Sequence, residues 1–211
     1  MQKITAITAQ KRNKERVNIH LDGEYAFSLS MFTAAYLRTG QELDQEKIDH
    51  LQKEDAYERG KNAAMNLITY RPRSEREIEQ KLRQKDFEPD TIERVLTRFR
   101  ELDLVDDVAF AKYWIDQRET FKPRSRMALR QELQQKGISR EITDELLEDI
   151  DEVTAAFRAV EKKALRWRAL PDDQYRHKVT GFLQRRGFHY GIVRDVLTEL
   201  DEQHEQEEME E

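Results

Sequence analysis

From about residue 55 onward the chain repeats itself every 50 or 51 residues, and this limits the available folds more than any other feature. Three segments align. The first holds Arg71-Pro72-Arg73-Ser74, Ile78, Leu82, Lys85-Asp86-Phe87, Ile92 and Leu96. The second holds Lys122-Pro123-Arg124-Ser125, Leu129, Leu133, Lys136-Gly137-Ile138, Ile142 and Leu146. The third holds Val179, Leu183, Arg186-Gly187-Phe188, Ile192 and Val196, without the basic-Pro-basic-Ser opening. Helical spacing of the apolar positions predicts three helices per copy, a leading one over about 55–69, 106–119 and 152–168, then a short middle one and a third. Pro72 and Pro123 stop the leading helices. Ser74 is placed to cap the middle helix, with Glu77 completing a capping box. Gly137 and Gly187 stand where a helix ends in a left-handed residue, and Asp86 takes that place in the first copy at some cost.

Each copy therefore buries a modest core and leans on its neighbours, as repeat proteins do. Composition agrees. Charged residues make up 38% of the 211 and apolar residues 37%, against about 25% and 45–50% in ordinary globular chains. The fold class expected is mainly α, an elongated series of three tandem three-helix repeats with a small N-terminal β region. The expected layout is an N-terminal region over 1–54, repeats over 55–105, 106–151 and 152–200, and an acidic tail over 201–211 whose composition predicts disorder.

The first thirty residues alternate with period two. Ile4 to Ala9 reads as one strand, and the Val17-Ile19-Leu21 and Tyr25-Phe27-Leu29 runs flank Asp22-Gly23, a hairpin signal because glycine accepts a positive φ. Helix is expected from residue 31, with Phe32, Tyr36 and Leu37 on one face and Gly40 as the stop. Asp44 is a candidate cap for the stretch 44–70, which reads as one long helix or two.

Several function classes fall away. With no cysteine there is no disulfide framework, thiolate zinc site or thiol nucleophile. No apolar run approaches the ~18 residues of a membrane span, and the first residues lack a signal-peptide core, so a cytoplasmic protein is expected. His20, His50, His177, His189 and His204 form no metal spacing, and no phosphate-loop or Gly-x-Ser-x-Gly pattern occurs. Asp106-Asp107 and Asp172-Asp173 read as helix starts, where carboxylates complement free amides. No enzyme and no cofactor are expected.

The net charge of −6 conceals segregation. Residues 118–140 carry a balance of +5 and 158–190 one of +6, while 141–152 and 199–211 hold seven and eight acids and no base. Bases thus recur on leading and middle helices, and third helices read as acidic. A basic stripe of this kind suits a polyanion or an acidic protein groove. Solvated faces with local ion pairs are the plainer account. Trp114, Trp167, Tyr70 and Phe121 lie among the bases, and their apolar neighbours favour core packing over base stacking.

Asp103-Leu104-Val105-Asp106-Asp107-Val108-Ala109-Phe110-Ala111, with Arg118 downstream, resembles the Leu-x-Asp-Asp-x-x-Phe-Ala signature of the bacterial recombination regulator RecX family. Arg73-Ser74 followed by Lys81-Leu82 and Lys85, and Glu132-Leu133-Gln134-Gln135-Lys136-Gly137-Ile138, are similar to further family segments. Asp86 and the weak opening of the third repeat depart from the pattern. The resemblance covers about 55–200 and implies a non-enzymatic helical-repeat protein that binds RecA recombinase filaments on single-stranded DNA. Such proteins modulate, chiefly inhibit, the filament's ATP turnover, strand exchange and co-protease function. The candidate contacts are Arg73, Lys122, Arg124, Arg126, Arg130, Lys136, Arg140, Arg166, Arg168, Arg185 and Arg186. Phe110 and Ala111 are expected inside the interface between the first and second repeats. A monomer is expected. The alternative is a protein that binds nucleic acid directly, although acidic third helices would read a major groove poorly.

Overall fold

The computed structural model describes residues 1–210. The chain runs β1 (Gln2–Ala9), β2 (Arg16–Leu21), β3 (Glu24–Ser30), β4 (Glu42–Leu43), α1 (Gln45–Ile68), α2 (Glu75–Arg83), α3 (Pro89–Glu101), α4 (Asp107–Phe121), α5 (Arg126–Gln135), α6 (Arg140–Leu147), α7 (Glu152–Trp167), α8 (Asp172–Gln184) and α9 (Tyr190–Glu210). The described residues thus hold three sets of three helices, preceded in sequence by an antiparallel sheet of order β3-β2-β1-β4. Two compact units result: Met1–Arg71 with Ile78–Leu104, and Pro72–Glu77 with Val105–Glu211.

In the first unit Asp22 and Gly23 both take positive φ, 51° and 96°, which closes the β2–β3 hairpin. Val17, Ile19, Leu21, Phe27 and Leu29 face inward with Ile4, Leu43, Ile48 and Leu51. The alternation breaks at Tyr25. A bulge makes Ile19 pair with Phe27 but His20 with Tyr25, so Tyr25 turns outward against the His20 ring. The helix expected from residue 31 does not form. Residues 31–36 make successive turns, with Phe32 and Tyr36 exposed, and the chain then returns as β4 beside β1. The side chain of Asp44 accepts from the Lys47 amide at 2.7 Å and starts α1, which is a single helix of 24 residues. The first repeat therefore shares its leading helix with the N-terminal region.

Asp55 lies on the inner face of α1 at the helical spacing set by Ile48 and Leu51, where an apolar residue is expected. It is 3% exposed. Its carboxylate accepts from the Ser30 amide at 2.6 Å, from both terminal nitrogens of Arg16 at 3.0 and 3.3 Å, and from Arg59 Nε at 3.2 Å. Strand ends and helix are thus tied by one buried anion.

The helix ends in the repeats are built alike. Asp86, Gly137 and Gly187 have φ of 59°, 89° and 93°. One residue on, the amides of Phe87, Ile138 and Phe188 reach back to the carbonyls of Leu82, Leu133 and Leu183 at 3.0–3.2 Å. The second repeat encloses Phe110, Ala111, Ile115, Leu129, Leu133, Ile138 and Leu147. Phe110 and Ala111 are therefore part of the core of that repeat. The third encloses Ala155, Ala156, Val160, Val179, Leu183, Phe188, Val193 and Val196.

One expectation about charge is corrected. Helix α3 carries Arg94, Arg98 and Arg100 among its acids, so not every third helix is acidic. Helix α9 continues to Glu210, in keeping with the helix propensity of Glu and Gln; Glu211, the end of the acidic tail, lies outside the described residues.

Thr143 in α6 is 2% exposed and its hydroxyl has no hydrogen-bond partner among the described residues. Replacing a buried orphan donor by an isosteric methyl relieves desolvation, so Thr143→Val should raise stability by about 1 kcal/mol in a denaturant melt.

Candidate functional site

The basic-Pro-basic-Ser segments, the most conspicuous part of the repeat, join one repeat to the next within the second unit. Ser74 Oγ accepts from the Glu77 amide at 3.2 Å and donates to the Lys136 carbonyl at 2.7 Å. Ser125 Oγ likewise caps α5 through the Ala128 amide at 3.1 Å, and the Ser125 amide donates to the Arg186 carbonyl at 3.2 Å. The Lys-Gly and Arg-Gly turns of the following repeat are thus what each Ser meets. Arg76 packs so closely on Gly137 that a Cβ there would lie 2.6 Å from its own Cβ. The third repeat lacks the motif, and among the described residues no later repeat packs on α8.

The leading helices supply the second half of each joint. Asp106 caps α4 through the Val108 and Ala109 amides, while Asp107 Oδ1 accepts from the Glu75 amide at 3.0 Å. Asp151 caps α7 in the same way, and Glu152 accepts from the Arg126 amide at 2.9 Å and its Nε at 3.1 Å. The acidic pair that opens a leading helix therefore divides its work: the first acid caps its own helix, the second caps the middle helix of the preceding repeat.

This geometry locates the candidate contacts. Arg73 and Lys136 both pair with Glu77, and Arg126 with Glu152. Arg124 and Arg118 flank Glu132, which also accepts from Trp114 Nε1 at 2.8 Å. Arg130 and Arg140 share Asp144, and their hydrogen bonds hold that carboxyl below its ordinary value. Arg186 donates to the Pro123 carbonyl at 2.9 Å. Arg168 is half-buried at the end of α7. Lys122, Arg166 and Arg185 are exposed with no carboxylate within 4 Å among the described residues. A cavity of about 640 Å³ beside α5 and α6 is lined by Arg126, Arg130, Asp144 and Glu152, bases that already face acids.

One group of side chains is arranged otherwise. Trp167 and Phe182 meet edge to face at 6.0 Å. Lys163 Nζ lies 5.8 Å from the first ring and 5.4 Å from the second, Lys178 Nζ 5.9 Å from Trp167, and Arg186 4.6 Å from Phe182. Burial, and then the nearby Arg124 charge, push the Arg186 guanidinium below its ordinary value. Lys163 and Lys178 lie outside the set of contacts expected from sequence. The signal that points to them is the repeat alignment: Phe182 occupies the position that Glu132 holds one repeat earlier.

The aromatic expectation divides. Trp114 and Trp167 are half-buried against their repeats' cores, whereas Tyr70 and Phe121 are exposed. His189 Nδ1 accepts from the Gly191 amide at 3.1 Å and serves the start of α9. Among the described residues no cluster of His, Asp or Glu could hold a metal ion, and no helix is long and apolar enough to cross a membrane.

Comparison with known proteins follows the same divisions. Residues 2–44 match the regulatory protein RecX N-terminal domain. Residues 61–99, 106–147 and 149–197 match the first, second and third RecX three-helix domains. The regulatory protein RecX of Clostridium tetani is 35% identical over 205 residues, 94% of each chain. That of Clostridium botulinum is 32% identical over 206 residues, covering 94% of this chain and 96% of the other. A crystal structure of a regulatory protein RecX aligns over 94% of this chain and all of its own, with a TM-score of 0.65 and 28% identity. The RecX of Lactobacillus salivarius aligns over 70% of this chain and 98% of its own, with a TM-score of 0.60 and 27% identity.

Proposed function

The chain belongs to the RecX family of regulatory proteins, and from that premise we propose that it binds RecA filaments on single-stranded DNA and inhibits them. Recombination, ATP turnover and co-protease activity all depend on that filament. The observation that carries the reading is the full series of family domains in order along one chain. The geometry supports it. Three-helix modules recur along the chain and carry basic positions in more than one of them, so weak contacts to a repeating partner add through effective concentration. The regulator acts as a cytoplasmic monomer, without cofactor or catalysis. Lys122, Arg166 and Arg185, which have no carboxylate to give up among the described residues, are the first contacts to expect, and the ion-paired bases join by exchanging partners. The experiment is RecA ATPase on single-stranded DNA with increasing amounts of this protein. Turnover should fall several-fold at stoichiometric amounts. Unchanged turnover there would overturn the proposal.

A further inference from the structure

Repeats two and three have the same framework, so they can be compared position by position. Aligning Leu129-Leu133 with Val179-Leu183 sets Lys136 against Arg186 and Glu132 against Phe182. Aligning the buried pairs Phe110-Ala111 and Ala155-Ala156 sets Arg118 against Lys163. In repeat two the bases Arg118 and Arg124 converge on the carboxylate of Glu132. In repeat three Lys163, the counterpart of Arg118, and Arg186, the counterpart of Lys136, converge on the Phe182 ring, and Gln174 stands where Arg124 stood. Stacking on a ring attracts a cation but leaves its charge in place. Lys163 and Lys178 are exposed, and neither they nor Arg186 has a carboxylate within 4 Å among the described residues. Glu161, the acid nearest in sequence on α7, makes no such pair. Trp167 and Phe182 are only half-buried, so part of each ring remains accessible.

We infer that this surface of the third repeat, Lys163, Lys178 and Arg186 around Trp167 and Phe182, binds single-stranded nucleic acid directly. Three cations within one small area, with no carboxylate near them among the described residues, call for a polyanion. Rings interleaved with them call for flat partners, which unpaired bases provide and a duplex hides. An acidic peptide would satisfy the cations and leave the rings unused. Phe182 is the determinant, because it removes the acid that closes the same surface one repeat earlier.

The test uses the full chain with a fluorescent oligothymidylate and no recombinase, so its failure is a separate result from failure of the RecA reading. Binding is followed by anisotropy over a range of salt. The double variant Lys163→Gln, Lys178→Gln alters two exposed side chains that make no hydrogen bond among the described residues. It should weaken binding about 10-fold or more. It should also flatten the slope of log K against log salt by about 1.4, at ~0.7 for each phosphate that is no longer neutralised. Phe182→Glu should weaken binding comparably by restoring the closing acid, with a thermal melt to confirm its fold. Three results would overturn the inference: unchanged affinity in the lysine variant, equal or tighter binding of a duplex of the same length, and displacement of the strand by polyglutamate as readily as by unlabelled oligothymidylate.

Discussion

Asp55→Ala is expected to destabilise the first unit by about 3–5 kcal/mol, the range for removing one partner of a buried ion pair. The carboxylate is almost wholly enclosed and serves three elements at once. Its loss leaves Arg16, whose side chain is 18% exposed, without a counter-charge. It also leaves the Ser30 amide without its acceptor. Arg59 is a lesser matter, since its side chain is half in solvent and can hydrate. The loss is a large share of the 5–15 kcal/mol that holds a typical domain together. Asp55→Asn should lie between, because an amide oxygen still accepts from Ser30 while the charge interaction with Arg16 is gone. Chemical denaturation would give both values, and hydrogen exchange at Ser30 would show whether the strand end opens first. A loss below about 1 kcal/mol for the alanine variant would mean that the cluster behaves as a solvent-screened surface pair.

Asp55 also marks the limit of what patterning reveals. Period-two and helical spacing place the hairpin, the helices of all three repeats and much of the core, because apolar burial follows from local geometry; the small-residue inner face of α7, Ala155, Ala156, Val160 and Ala164, is not read that way. The same rule has no place for an acid on the inner face of α1, whose partners Arg16 and Ser30 are 39 and 25 residues away in sequence. Tyr25 departs from its pattern for a related reason: a bulge adds one residue to a strand and reverses the alternation beyond it, and no composition signal announces it. Segment 31–36 has the spacing of a helix, yet Phe32 and Tyr36 find nothing to pack on, and spacing alone does not specify a helix without tertiary contacts.

The candidate surface shows the same division. The sequence locates the basic residues but not their counter-ions. Arg73, Arg126 and Lys136 look available in a linear count, and each is paired by an acid 4 to 59 residues away, Arg126 and Lys136 across a repeat joint. Once the repeats are superimposed, however, the sequence does carry the relevant fact. A position that neutralises bases in one repeat, Glu132, is aromatic in the next, Phe182. Comparing repeats with each other therefore finds the exceptional surface where summing charge over windows does not.

Gly187→Ala should cost about 3–4 kcal/mol and act on the joint between the second and third repeats. One part is conformational: φ there is +93°, which for a residue with a Cβ costs ~1–2 kcal/mol. The other part is steric. An added Cβ would lie 2.5 Å from Ser125 Oγ and 2.9 Å from Ala128 Cβ, neither of which is the end of a flexible chain. Ser125 is held as the cap of α5, so the clash is relieved only by separating the turn from that cap. The Ser125 amide then loses the Arg186 carbonyl, and Arg186 loses the Pro123 carbonyl, at about 1 kcal/mol for each hydrogen bond. Gly23→Ala is the internal control. Its φ is +96°, but nothing lies within 4 Å of the added Cβ, so it should show the conformational part alone, about 1 kcal/mol. The difference between the two variants in denaturant melts measures the joint. If the repeats are fastened as the caps indicate, Gly187→Ala exceeds Gly23→Ala by about 2 kcal/mol. Equal losses would mean that the third repeat's turn yields freely, and that the Ser125 cap fastens only its own helix.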